Sequence, residues 1–193
     1  MIRAVALHRF YEDGTVTHPW ELTRDQFVKY LNNGYVPGEA GGLDNYDDQI
    51  LLDTLRPVPL DPRWPTARPP GAFWFCRLSF SRDGKGPERK GTIGLVRKST
   101  NPGGREVYEL VGECADGHLF LKRHVRKMNL GAELLLASAQ NNKSGRPNTT
   151  TQYTKGAHVA LGRAHRLAVE RALKEGLPVP DLVLKDYPDL ARP

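Results

Sequence analysis

FWFCRLSF (73–80), TIGLVRK (92–98), REVYELVG (105–112) and HLFLKRHVR (118–126) are four apolar runs rich in β-branched and aromatic residues. Side chains of that kind suit a pleated, half-buried surface. Asn101-Pro102-Gly103-Gly104 separates the second run from the third, and Ala115-Asp116-Gly117 the third from the fourth. Gly-Gly and Asp-Gly between such runs are hairpin signals. Together they predict a four-stranded antiparallel meander over about 73–126. Continued alternation along the fourth run places Lys122, His124 and Arg126 on one face, with Leu121, Arg123 and Val125 on the other.

Downstream the period changes from two to between three and four. Leu130, Leu134, Leu135 and Ala139 predict a helix over about Met128–Gln140, with Asn129 as its cap. The stretch NNKSGRPNTTTQY (141–153) has no apolar periodicity and reads as a polar loop. A second helix follows Thr154, a suitable N-cap, with Ala157, Ala160, Leu161, Ala164, Leu167, Ala168, Ala172 and Leu173 on one side. Arg163, Arg166, Glu170 and Lys174 form the opposite stripe. Gly176 stands where a helix end favours positive φ, and Pro178 and Pro180 forbid continuation. Asp181 is placed to cap a short last helix that Pro188 ends, and Val179, Leu182, Leu184 and Tyr187 are expected to fold back as a clasp. The fold class is α+β: helices on one face of an antiparallel sheet, preceded by a loop- and proline-rich N-terminal third.

The tail carries a resemblance. His165, Ala168, Val169, Ala172, Leu173 and Gly176, followed by Pro178-Val179-Pro180, Val183-Leu184 and Asp186-Tyr187-Pro188-Asp189-Leu190, resemble a tail module of large multi-domain (polyvalent) proteins of phages and plasmids. The likeness spans about 157–190. It implies mobile-element ancestry and no particular reaction.

Upstream, residues 1–71 read as a separate organisational segment from 72–193, whether or not the two pack as one unit. Met1–Phe10 reads as a strand and Thr15–Thr17 as its return. Thr23 and Gln26 have the spacing of a capping box ahead of Phe27, Tyr30 and Leu31, which predicts a short helix stopped by Asn33-Gly34. Ile50, Leu51 and Leu55 fit a further helix from about Asp47 to Leu55. Pro57, Pro59, Pro62, Pro65, Pro69 and Pro70 make the next stretch an extended crossing, pinned by Trp64.

Composition narrows the function class. At 193 residues, 39% hydrophobic and 26% charged, the chain suits an ordinary globular protein. It has no run of eighteen apolar residues and no charged-then-apolar start, so no membrane partner is expected and the cytoplasm is the expected location. Cys76 and Cys114 read as reduced core residues. Net charge is +6, divided as −4 over 1–60, +7 over 61–127 and +3 over 128–193.

That asymmetry directs attention to polyanions. The candidate nucleic-acid contacts are Arg82, Lys85, Arg89 and Lys90 in the first hairpin loop and Arg97, Lys98 and Arg105 around the second. Lys122, Arg123, Arg126 and Lys127 lie in the last strand and beyond, Lys143 and Arg146 in the polar loop, and Arg163 and Arg166 on the C-terminal helix. Cations on sheet hairpins are a common way to meet a phosphate backbone. The leading expectation is therefore a non-enzymatic nucleic-acid-associated protein, with DNA or RNA as partner. The alternative is a protein-interaction module using the acidic 39–53 segment and the proline-rich stretch. A metal-dependent hydrolase built on Asp44, Asp47, Asp48 and Asp53 ranks third, because their spacing matches no ligand signature. No catalytic residue, metal or cofactor is assigned from the sequence.

Overall fold

The computed structural model describes residues 18–31, 50–58, 71–79, 88–115, 118–141 and 155–191. The predicted first hairpin, the acidic residues 39–48, most of the proline-rich crossing, the loop around Arg82 and Lys85, the polar loop with Lys143 and Arg146, and the Thr154 cap lie outside them.

Among the described residues five antiparallel strands form one sheet: β1 (Ile50–Leu52), β2 (Phe73–Ser79), β3 (Glu88–Thr100), β4 (Glu106–Ala115) and β5 (His118–Leu121). β2 to β5 form the expected meander, and β1 adds to β4 with Leu51 opposite Glu109. The helix expected over about 47–55 is corrected at this point. Ile50, Leu51 and Leu52 are too few to fix a period, and the open edge of β4 takes them as a strand. β3 begins at Glu88, so Arg89 and Lys90 belong to a strand and not to the hairpin loop.

Among the described residues the α-helices are α1 (Arg24–Leu31), α2 (Leu130–Asn141), α3 (Lys155–Lys174) and α4 (Asp181–Leu184). Thr23 and Gln26 make the capping box of α1, with Gln26 N–H donating to Thr23 Oγ1 at 3.2 Å and Thr23 N–H to Gln26 Oε1 at 2.8 Å. α2 packs on the sheet and on α3, and the main core runs through Phe73, Phe75, Ile93, Leu95 and Val111 to Leu134, Leu135, Leu161, Ala168 and Val169. Trp20, Leu22, Phe27 and Val58 join the same core. A smaller cluster of Cys76, Val96 and Leu110 lies on the other side of the sheet. Cys114 belongs to the main core, so the two cysteines are buried in different clusters, and burial pushes the Cys76 thiol up to about 12.

The tail folds as the helix, turn and short helix that its residues predict. Gly176 has φ 70°, its N–H donates to Leu173 O at 3.1 Å, and Leu177 N–H donates to Ala172 O at 2.9 Å. That pair of bonds is a Schellman ending. Pro180, not Asp181, is the N-cap of α4. Val183 and Tyr187 are buried, whereas Leu182 is 55% exposed and does not join the clasp.

Candidate functional site

The strand expected to continue through Arg126 stops at Leu121. Val111 is an extra residue in β4, since Leu95 pairs with Gly112 and Val96 with Leu110. Lys122 N–H donates to Val111 O at 2.9 Å across that bulge, and then the chain turns: Val125 N–H bonds Lys122 O and Arg126 N–H bonds Arg123 O. These i to i+3 bonds make a 3₁₀ turn over Arg123–Val125. The alternation of 122–126 across two strand faces is therefore corrected. Arg123, His124, Arg126 and Lys127 are exposed on a turn, while Val125 and Lys122 point into the protein.

Lys122 is 2% exposed, although the sequence places it among surface cations. Its ammonium donates to Glu109 Oε1 at 3.2 Å, and Arg97 Nε donates to Glu109 Oε2 at 2.7 Å. His124 Nε2 lies 3.9 Å from Glu109 Oε1. A buried ammonium needs a counter-ion and a buried carboxylate needs donors, and each group supplies the other's requirement. Burial alone would raise the Glu109 pKa, but the bonds from Arg97 and Lys122 outweigh it and hold the carboxyl below its usual value. Glu109 thus stays ionised and ties the 122–127 turn to β3 and β4.

The turn contacts β4 at Val111 and Glu109, on the stretch of that strand that leads back to the β3–β4 hairpin. Glu109 is three residues from Glu106, the first residue of β4, about 10 Å at the rise of an extended strand. At that hairpin Asn101 Oδ1 accepts from Arg105 N–H at 2.9 Å, and Lys98 pairs with Glu106 at 2.9 Å with both side chains exposed. Segments 97–109 and 122–127 together carry seven Lys and Arg against two Glu, which leaves this end positive. Arg126 Nε donates to Leu121 O at 3.0 Å, which directs its stem back along the strand end.

The other candidate cations divide sharply. Arg163 is exposed on α3. Arg166, expected to extend the basic face, is engaged instead: it bonds Glu170 through Nε at 2.7 Å and both Asp189 oxygens through its terminal nitrogens. Arg82, Lys85, Lys143 and Arg146 lie outside the described residues, as do the side chains of Arg89 and Lys90.

Two contributors are absent from the sequence-derived set. Glu109 shares the inward parity of Val107 and Val111, and an acid between two inward valines is a legible sign of a buried partner. His124 stands beside it. Among the described residues no group of three or more His, Cys, Asp or Glu is placed to hold a metal, and no helix is long and apolar enough to cross a membrane. No protein-family model, curated protein or solved structure matches the chain.

Proposed function

We propose that the protein binds the phosphate backbone of nucleic acid through the basic end of its sheet, formed by the 122–127 turn and the β3–β4 hairpin. One observation carries this reading: Lys122 and Glu109 are spent inside the protein to fix a short turn whose other cations, Arg123, Arg126 and Lys127, are exposed. Fixed cations on a braced turn meet phosphates without a large ordering cost, and they carry no sequence preference of their own. On this reading the chain is a cytoplasmic, non-enzymatic binding protein of mobile-element type, in keeping with the likeness of its tail.

Affinity for a labelled DNA or RNA oligonucleotide, measured across a salt series, tests it. With Arg105, Arg123, Arg126 and Lys127 each meeting a phosphate, log K against log salt should fall with a slope of about −3 to −4. Arg123→Gln, Arg126→Gln and Lys127→Asn together should flatten that slope by about 2 to 3 with the fold retained by circular dichroism. Asn is chosen at 127 because the backbone there has φ 75°. A salt-independent affinity, or no binding at low salt, removes this reading and favours a protein partner.

A further inference from the structure

We propose that α3 and the tail form a peptide-binding seat, filled within one chain by residues 18–31 and open to the same residues of a second copy. Trp20, Leu22 and Phe27 are buried side chains of that segment, and both α1 and the 3₁₀ turn Pro19–Glu21 before it pack on α3. Side chains of the seat also read the segment's main chain. His165, wholly buried, donates from Nε2 to Leu22 O at 2.8 Å, and Asp186 Oδ2 accepts from Arg24 N–H at 2.8 Å. The Phe27 ring lies 5.3 Å from the His165 ring. Gly162 of α3 completes the seat: a Cβ there would lie 2.7 Å from a terminal nitrogen of Arg24 and 3.2 Å from its guanidinium carbon. Glycine weakens a helix interior, and here it makes room for that cation.

Three features set this arrangement apart from ordinary helix packing. The groups it recognises are those of a short peptide, Trp20-Glu21-Leu22-Thr23-Arg24: two apolar side chains one residue apart, a carbonyl, an N–H and a cation. The segment also holds its own shape. His18 N–H donates to Glu21 Oε2 at 2.7 Å, Leu22 N–H to Pro19 O at 3.3 Å, and the Thr23–Gln26 box starts α1, so docking orders little that is not already ordered. Finally, residues 32–49 separate Leu31 from Ile50, a length that reaches up to about 60 Å when extended. The covalent link therefore does not decide which copy's α3 the segment meets. A second copy fits the seat with no new contact, by exchange of identical elements. This inference does not depend on nucleic-acid binding.

The test uses full-length chains. Leu22→Asp vacates the seat, whereas Gly162→Leu blocks it and leaves the segment intact. Each variant alone should be monomeric by light scattering, and the two mixed should form a complex of one chain of each. A labelled peptide of residues 18–31 should bind the Leu22→Asp chain about tenfold tighter than wild type, whose own segment competes for the seat. The same peptide carrying Leu22→Asp should bind neither. Arg24→Ala, which leaves the apolar anchors in place, should bind the unaltered peptide with an affinity between those two. A mixture that stays monomeric while both chains are folded by circular dichroism, or equal peptide binding by wild type and Leu22→Asp, overturns the inference. If Leu22→Asp does not fold, the Arg24→Ala chain decides, and no gain in peptide affinity over wild type overturns it equally.

Discussion

His165 Nδ1 and the Tyr187 hydroxyl lie 2.7 Å apart in the core, and His165 Nε2 lies 2.8 Å from Leu22 O. A carbonyl only accepts, so Nε2 carries the proton and donates to Leu22, while Nδ1 accepts from Tyr187. Burial lowers the His165 pKa, which keeps the ring in this neutral form. The histidine and tyrosine of the tail are thus bonding partners, and they tie the tail to the segment before α1. Asp186 adds to the tie by accepting from Arg24 N–H at 2.8 Å.

That bond predicts an acid-sensitive fold. The folded pKa of His165 lies below its unfolded value of about 6.5, so the unfolded chain binds the extra proton. Stability is full above that pH and falls as the pH drops below it, by up to about 1.4 kcal/mol per unit. Denaturant titrations at a series of pH values should show this fall. His165→Gln should be less stable throughout yet flatter with pH, and an unchanged slope would place the sensitivity elsewhere. Tyr187→Phe should cost about 1–3 kcal/mol by leaving Nδ1 without its donor.

The capping box gives a smaller and cleaner quantity. Thr23 Oγ1 accepts from the Gln26 backbone, and Thr23→Ala leaves that N–H at the start of α1 without its acceptor. A loss of about 1 kcal/mol in denaturant stability is expected, with Thr23→Ser recovering most of it.

Legibility followed the range of the interactions involved. The meander could be read because alternation and turn residues are local, and the Schellman ending because Gly176 sits between a periodic run and two prolines. β1 was misread because three apolar residues carry no period, and only the waiting edge of β4 decides them. The end of β5 was misread because alternation persists in the sequence past Leu121, while the extra Val111 and the Lys122–Glu109 pair end the strand. Arg166 looked like surface charge because Asp189, its partner, is 23 residues away. At the candidate site the exposed cations were legible one by one, whereas the carboxylate that arranges them needed the register.

Two glycines separate backbone cost from packing cost. At Gly176 an added Cβ meets nothing within 4 Å, but φ is 70°. Gly176→Ala should therefore cost about 1–2 kcal/mol from conformation alone. At Gly112 φ is not unusual, but a Cβ would lie 2.6 Å from a Leu121 methyl and 2.8 Å from the Phe120 carbonyl. Backbone cannot step aside as a side chain can, so Gly112→Ala should be the more damaging change, and should weaken the β4–β5 pairing that leads into the basic turn. Equal thermal shifts for the two variants would contradict this ordering.

Glu109 and Lys122 supply the sharpest test of how the site is built. Glu109→Gln leaves the Lys122 ammonium buried without its counter-ion and should cost about 3–5 kcal/mol. Lys122→Met keeps the stem volume and leaves Glu109 paired to Arg97, so it should cost far less. The double variant should recover much of what Glu109→Gln loses, because no buried ammonium remains. The pH signature differs from that of His165. The folded pKa of Glu109 lies below its usual value, so its contribution is complete above about pH 4.5 and is lost as the pH falls through the folded value. A double-mutant cycle near neutral pH, repeated in acid, should find a coupling that shrinks as Glu109 takes up its proton. Additive losses at neutral pH would mean that the pair does not organise the turn.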